Sequence, residues 1–152
     1  MRCPSHCGFT YQPVHYHRNS LRLSYNEAAA KLRTIISTGL LVPTDIVHRP
    51  ERFFEAHRIL ARHATRLGPG FWVRFTVHYN LFAGTVVALG TTQQVAALEA
   101  RIRARPLLGC FALTESLAGV NSGLVAETTA EFVDGAIVIN TPRASAAKNW
   151  IR

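Results

Sequence analysis

The chain has 152 residues, 48% of them hydrophobic, enough for one ordinary domain with a real core and too apolar for disorder throughout. A formal charge of +8 raises nucleic acid, an anionic surface or an acidic ligand as partners, but the excess is mostly scattered arginine, with lysine only at Lys31 and Lys148. No basic tract is interleaved with aromatics, so nucleic acid is not expected, whereas phosphate-bearing CoA is compatible with arginine forks.

Cys3, Cys7 and Cys110 are too few and too uneven for a disulfide framework, which fits a reducing compartment. The longest apolar stretch, from Phe71 to Leu89, is interrupted by Arg74, His78 and Asn80, so no membrane span is expected. Neither end of the sequence carries a recognisable targeting signal.

In chain order, residues 1–24 read as an irregular leader, polar, aromatic and rich in histidine. From Ser24 a helix is expected through Ala28, Leu32, Ile35 and Ile36, ending before Gly39. A second runs from Pro50 to Gly68, with Phe53, Phe54, His57, Leu60, Ala64 and Leu67 at helical spacing. Phe71 to Gly90 is apolar on most sides and could be a buried helix or a pair of strands; its length favours a helix. Thr92 to Arg105 reads as an amphipathic helix with Val95, Leu98 and Ile102 on one stripe.

Beyond Pro106 the character changes to β. Leu107 to Leu113 is a short apolar run, read as a strand that ends at Thr114-Glu115 and enters a loop containing Gly119, Asn121, Ser122 and Gly123. Leu124–Val133 and Ala136–Asn140 read as two strands joined at Asp134-Gly135, a dipeptide suited to a tight hairpin. The expected class is α+β: a helical part at 25–106, then the start of an antiparallel β-domain at 107–152.

The segment Cys110-Phe111-Ala112-Leu113-Thr114-Glu115 resembles the CFAMTE segment of peroxisomal acyl-CoA oxidases and, less closely, the TEPGAGSD signature of acyl-CoA dehydrogenases. Phe53-Phe54-Glu55-Ala56-His57 and the stretch from Tyr79-Asn80-Leu81-Phe82 to Leu89-Gly90-Thr91 are similar to the helical domain of these flavoproteins. Ile139-Asn140-Thr141-Pro142 and Lys148-Asn149-Trp150-Ile151 resemble the family's TP…KWW and KMWIT patterns. The resemblance covers about residues 45–152. Ser116, where dehydrogenases have proline, and Thr141-Pro142 favour the oxidase branch.

The resemblance implies an FAD-dependent oxidation of fatty acyl-CoA to trans-2-enoyl-CoA with release of hydrogen peroxide, in fatty acid β-oxidation and in the peroxisome. A dehydrogenase using an electron-transfer protein is the alternative. It also implies that Phe111, Leu113 and Thr114 contact the flavin from one strand, that Trp150 and Ile151 lie beside its ring system, and that Ser122 is a candidate substrate contact. The family's C-terminal helical bundle, with its catalytic glutamate, has no counterpart in these residues. The expectation is therefore a partial copy without turnover by itself, or a non-catalytic module that pairs as a homo-oligomer or complementing subunit. Cys3, Cys7, His15 and His17 have zinc-ligand chemistry but match no common finger spacing. His48, His57, His63 and His78 are expected as surface or satisfied core histidines.

Overall fold

The computed structural model describes residues 23–116 and 126–149, and the order of elements within them is helices first and strands last. Helix α1 spans Tyr25–Ser37 and starts with a reciprocal cap: the Ser24 hydroxyl accepts from the Glu27 amide at 3.3 Å, and the Glu27 carboxylate accepts from the Ser24 amide at 2.7 Å. It ends near Gly39, whose φ of 64° is a left-handed conformation natural to glycine. Helix α2 (Asp45–His48) is a single turn. Its buried Asp45 accepts from the Val42 amide at 2.9 Å and from Arg49 Nε at 2.7 Å, which locks the entry to α3 (Pro50–Arg62).

The helix expected over Pro50 to Gly68 is interrupted. His63 leaves helical geometry at φ −103°, ψ 6°, and a separate turn, α4 (Ala64–Leu67), follows before Gly68. The apolar periodicity continues across the break because both pieces turn the same side to the core; periodicity reports the face, not the continuity of the backbone.

The ambiguous stretch after Phe71 is helical, as its length suggests, but in three registers. Helix α5 (Pro69–Thr76) passes into a π-helical segment at Val77–Ala83 and then into α6 (Gly84–Leu89). Helix α7 (Thr92–Ala104) opens with a second capping box, between Thr91 and Gln94. Its Ile102 is buried with Leu98 half-buried beside it, and Glu99 ties it to α2 by accepting from the Thr44 hydroxyl at 2.6 Å.

The core lies between these helices. Leu32 and Ile36 of α1 meet Phe71 and Phe75 of α5, with Phe53 and Leu60 of α3, Tyr79 of the π-helical segment and Ile102 of α7 closing around them. His57 links α3 to the π-helical segment, its two ring nitrogens lying 2.8 Å from the Phe53 carbonyl and 2.8 Å from the Asn80 side chain.

Strands β1 (Thr129–Val133) and β2 (Ala136–Asn140) form the expected antiparallel hairpin, with Val133 opposite Ala136 and Thr129 opposite Asn140. Asp134 and Gly135 both have positive φ, 48° and 81°, the geometry of a two-residue turn whose twist matches the strands. Space is open around Gly135, so only its backbone conformation restricts it. Gly135→Ala is expected to cost about 1–2 kcal/mol, the left-handed penalty of an L-residue, and to speed amide exchange in β1 and β2 while leaving α1 and α5 protected.

One expectation fails here. Leu107–Leu113 is not a strand: among the described residues it has no ladder partner, and the first pairing is an isolated bridge between Glu115 and Lys148. Leu107 and Leu108 pack against the helical core, so their apolar character serves burial on helices. The stretch Leu124–Val133, read as strand throughout, is strand only from Thr129; residues 124 and 125 lie outside the described range.

Candidate functional site

The site is built on the extended segment from Gly109 to Ser116, which is fixed at both ends. At its start the Gly109 amide donates to His78 Nδ1 at 3.0 Å. A Cβ on Gly109 would fall inside the ring of Phe82, so only glycine admits this approach. His78 and Phe82 both come from the π-helical segment, with ring centroids 5.9 Å apart. Wide helical turns of this kind are often found at functional positions.

His78 is buried, and burial alone pulls its pKa down to about 4. The ring is therefore neutral, with Nδ1 as acceptor and the proton on Nε2; that Nε2 is buried with no hydrogen-bond partner among the described residues. The folded pKa lies below the usual 6.5, so the contribution to stability is complete above that value and declines as pH falls toward about 4. The C2 proton of His78 is expected to titrate near pH 4 in NMR spectra, with the Gly109 amide shifting alongside it.

Beyond the anchor, Phe111 and Thr114 line a cleft of about 790 Å³ whose walls include Val73, Val77, Leu108 and Lys148. Arg33 and Arg74 add positive charge to it, and the Arg74 guanidinium sits 4.0 Å above the Tyr25 ring. Leu113, 46% exposed, does not line this cleft but a smaller cavity of about 260 Å³ with Phe82, Thr85 and Val86. Phe111 borders both.

The far end is held by Glu115. Its carboxylate is buried and accepts from the Glu127 amide (2.6 Å), the Thr128 amide (3.0 Å), the Thr128 hydroxyl (2.6 Å) and Lys148 Nζ (2.7 Å). The Lys148 ammonium, followed by the Thr128 hydroxyl, holds its pKa down to about 2. Around this ion pair two short stretches run side by side: the Ser116 amide donates to the Ala147 carbonyl at 2.9 Å, and the Asn149 amide to the Thr114 carbonyl at 3.1 Å. Ser145 extends the network by donating to Glu127.

Of the residues singled out in the sequence, Phe111 and Thr114 thus share a cleft, Leu113 faces elsewhere, and Trp150, Ile151 and Ser122 lie outside the described residues, as do Cys3, Cys7, His15 and His17. Residue 149, next to Trp150, is hydrogen-bonded to Thr114. Among the described residues no group of His, Cys, Asp and Glu could hold a metal ion, and no helix is long and apolar enough to cross a membrane. The sequence gives no anchoring role to His78, Gly109 or Lys148. Lys148 opens one quoted motif and Gly109 stands one residue before another, but nothing local points to partners 31 or 33 residues away.

Comparison with known proteins adds the ancestry. An acyl-coenzyme A oxidase of Caenorhabditis elegans is 35% identical over 81 residues, 53% of this chain and 12% of that protein. Acyl-coenzyme A oxidase 2 of Yarrowia lipolytica is 39% identical over 87 residues, 54% of this chain and 12% of its own length. The peroxisomal acyl-coenzyme A oxidase 2 of Arabidopsis thaliana is 32% identical over 103 residues, 67% of this chain and 14% of that protein. The chain is related to the acyl-CoA oxidases. It spans 12–14% of the length of these curated relatives. No family model and no solved structure matches it. The acyl-CoA oxidase relationship agrees with the resemblance carried by residues 110–115, and the α+β order of elements fits the helical and β parts which that resemblance implies.

Proposed function

We propose that this chain forms part of the FAD-binding shell of a fatty acyl-CoA oxidase, on the segments Phe111–Thr114 and Trp150–Ile151. The observation that supports the reading is the pairing of Thr114 with Asn149, the residue that precedes Trp150 in the sequence. The cleft that Phe111 and Thr114 line suits a cofactor in size and chemistry: about 790 Å³, apolar walls from Val73, Val77 and Phe111, and cations at Arg33 and Arg74 that suit phosphates. Phe111 belongs to an extended stretch with no backbone partner among the described residues, which leaves its backbone groups available to a ligand, whereas the Thr114 carbonyl is taken by Asn149.

When bound, the flavin supplies the redox chemistry, accepting electrons from the acyl-CoA as the 2,3-bond is desaturated and passing them to oxygen as hydrogen peroxide. This chain's residues orient and enclose it. Lys148 is neutralised by Glu115, so among the described residues Arg33 and Arg74 carry the unpaired positive charge at the cleft. Glu115 is not the base for the α-proton: a carboxylate held near pKa 2 by four donated hydrogen bonds is both occupied and weakly basic. The base is supplied from outside the described residues. A peroxisomal setting follows from the same reading.

Purified protein incubated with FAD and freed of excess is expected to retain a flavin absorbance band in the visible blue, and to give no acyl-CoA-dependent peroxide or dye reduction alone. Absence of retained flavin overturns the binding assignment. A robust rate overturns the assignment of the base to other residues.

A second reading, a non-catalytic module that pairs with a copy of itself or a complementing subunit, draws on the hairpin. Phe132, Ile137 and Ile139 share one face of it and are 77%, 69% and 73% exposed. Sedimentation showing a stable oligomer without flavin retention favours this reading over the first.

A further inference from the structure

A separate cavity of about 630 Å³, lined by residues of the helical part and by none of the Gly109–Ser116 segment, lies within the range of small-molecule sites. Its walls are apolar, formed by Ile35 of α1, Ile59 and Leu60 of α3, Leu67 of α4, and Phe71 and Phe75 of α5. Arg66 and Leu67 of α4, the turn that follows the interruption at His63, are among the residues that line it.

The margin is basic, and its charges are unevenly satisfied. Arg52 donates to the Leu40 carbonyl and lies 3.6 Å from Asp45, while Glu55, the acid of the margin, is held by Arg58 at 2.6 Å. Lys31 and Arg66 are exposed and have no acidic partner among the described residues, and His63 stands with them. An apolar chamber with two unneutralised cations at its mouth is complementary to an amphiphile with an anionic head. Residues 1–22 are a poor match, since they carry Arg2, Arg18 and Arg22 and no carboxylate.

We infer that this cavity is a second ligand site, taking a long-chain carboxylate with its chain among Ile35, Ile59, Phe71 and Phe75 and its head at Lys31 and Arg66. It shares none of its lining residues with the cleft of Phe111 and Thr114, so the inference does not depend on the flavin reading.

The test is calorimetric titration of the full chain with dodecanoate below its micellar concentration, and with dodecyltrimethylammonium, which has the same chain and the opposite charge. Saturable one-to-one binding of dodecanoate is expected, tighter than that of the cation. Lys31→Glu combined with Arg66→Glu changes only exposed side chains; it is expected to weaken dodecanoate at least about tenfold, the scale of losing charge-assisted contacts, and to reverse the preference. Ile59→Trp, filling the chamber from a half-exposed position, is expected to abolish binding of both probes. Flavin retention is expected to be unchanged in every variant. Absence of saturation, equal affinity for the two probes, or indifference to the charge reversal or to Ile59→Trp would overturn the proposal and leave the cavity as a packing surface.

Discussion

Gly109→Ala is expected to be the most damaging single-atom change in the described part of the chain. The added methyl would occupy the Phe82 ring, contacting its Cγ and Cδ1 atoms near the base of the side chain rather than a flexible end. Either Phe82 leaves its place beside His78, or Gly109 withdraws and the 3.0 Å bond to His78 Nδ1 is lost. Overpacking of this kind costs about 1–3 kcal/mol, and the loss of the bond leaves a second buried nitrogen of His78 unpartnered. Denaturant unfolding should register the stability loss. Flavin retention should fall more than stability alone dictates, since Phe111 and Thr114 move with Gly109. The double variant Gly109→Ala, Phe82→Ala provides the control: restored space is expected to return much of the stability, and failure to do so would show that steric exclusion by Phe82 is not the reason for glycine.

Glu115→Gln is expected to unfasten the other end. A neutral amide can still accept a hydrogen bond, but it also brings N–H groups toward the backbone donors of Glu127 and Thr128 and removes the charge facing Lys148. Three stretches, residues 114–116, 127–128 and 147–149, depend on that one carboxylate. Their amides are expected to exchange faster together while α1, α3 and α5 keep their protection. The wild-type protein carries a matching acid dependence. Because the folded pKa is lowered to about 2 from the ordinary 4.5, the stabilisation is present above 4.5 and is lost as pH falls toward 2. In Glu115→Gln that part of the acid slope should disappear; an unchanged slope would mean that other carboxylates set it.

How much of this was legible in the sequence follows from the range of each interaction. The α1 cap, between Ser24 and Glu27, and the hairpin at Asp134-Gly135 depend on residues within a few positions, so the pattern of residue types predicts them. The π-helical register at Val77–Ala83 leaves no trace in composition, because an apolar stretch remains apolar whichever carbonyl each amide reaches. Leu107–Leu113 was misread as strand for a related reason. A short apolar run shows that side chains need cover without showing what covers them, and here the covering surface is helical. Within the candidate site, Phe111 and Thr114 were marked by resemblance to flavoprotein segments and do share a cleft. The groups that hold them, His78 and Lys148, act across 31 and 33 residues of sequence.

The position of the hairpin also bears on the order of folding. Glu115 grips Thr128, just before β1, and Lys148, just after the 3₁₀ turn Ala144–Ala146 that follows β2. Once Thr129 stands opposite Asn140, the chain still free between the hairpin and Lys148 is only residues 141–147. A two-residue turn lets the ribbon form on a timescale of about 1–10 μs, so the entropy of bringing Thr128 and Lys148 to one carboxylate is largely spent before that carboxylate arrives. Asp134-Gly135 thereby acts at a distance, by assembling beforehand the partners with which Glu115 fastens the Thr114 end of the cleft.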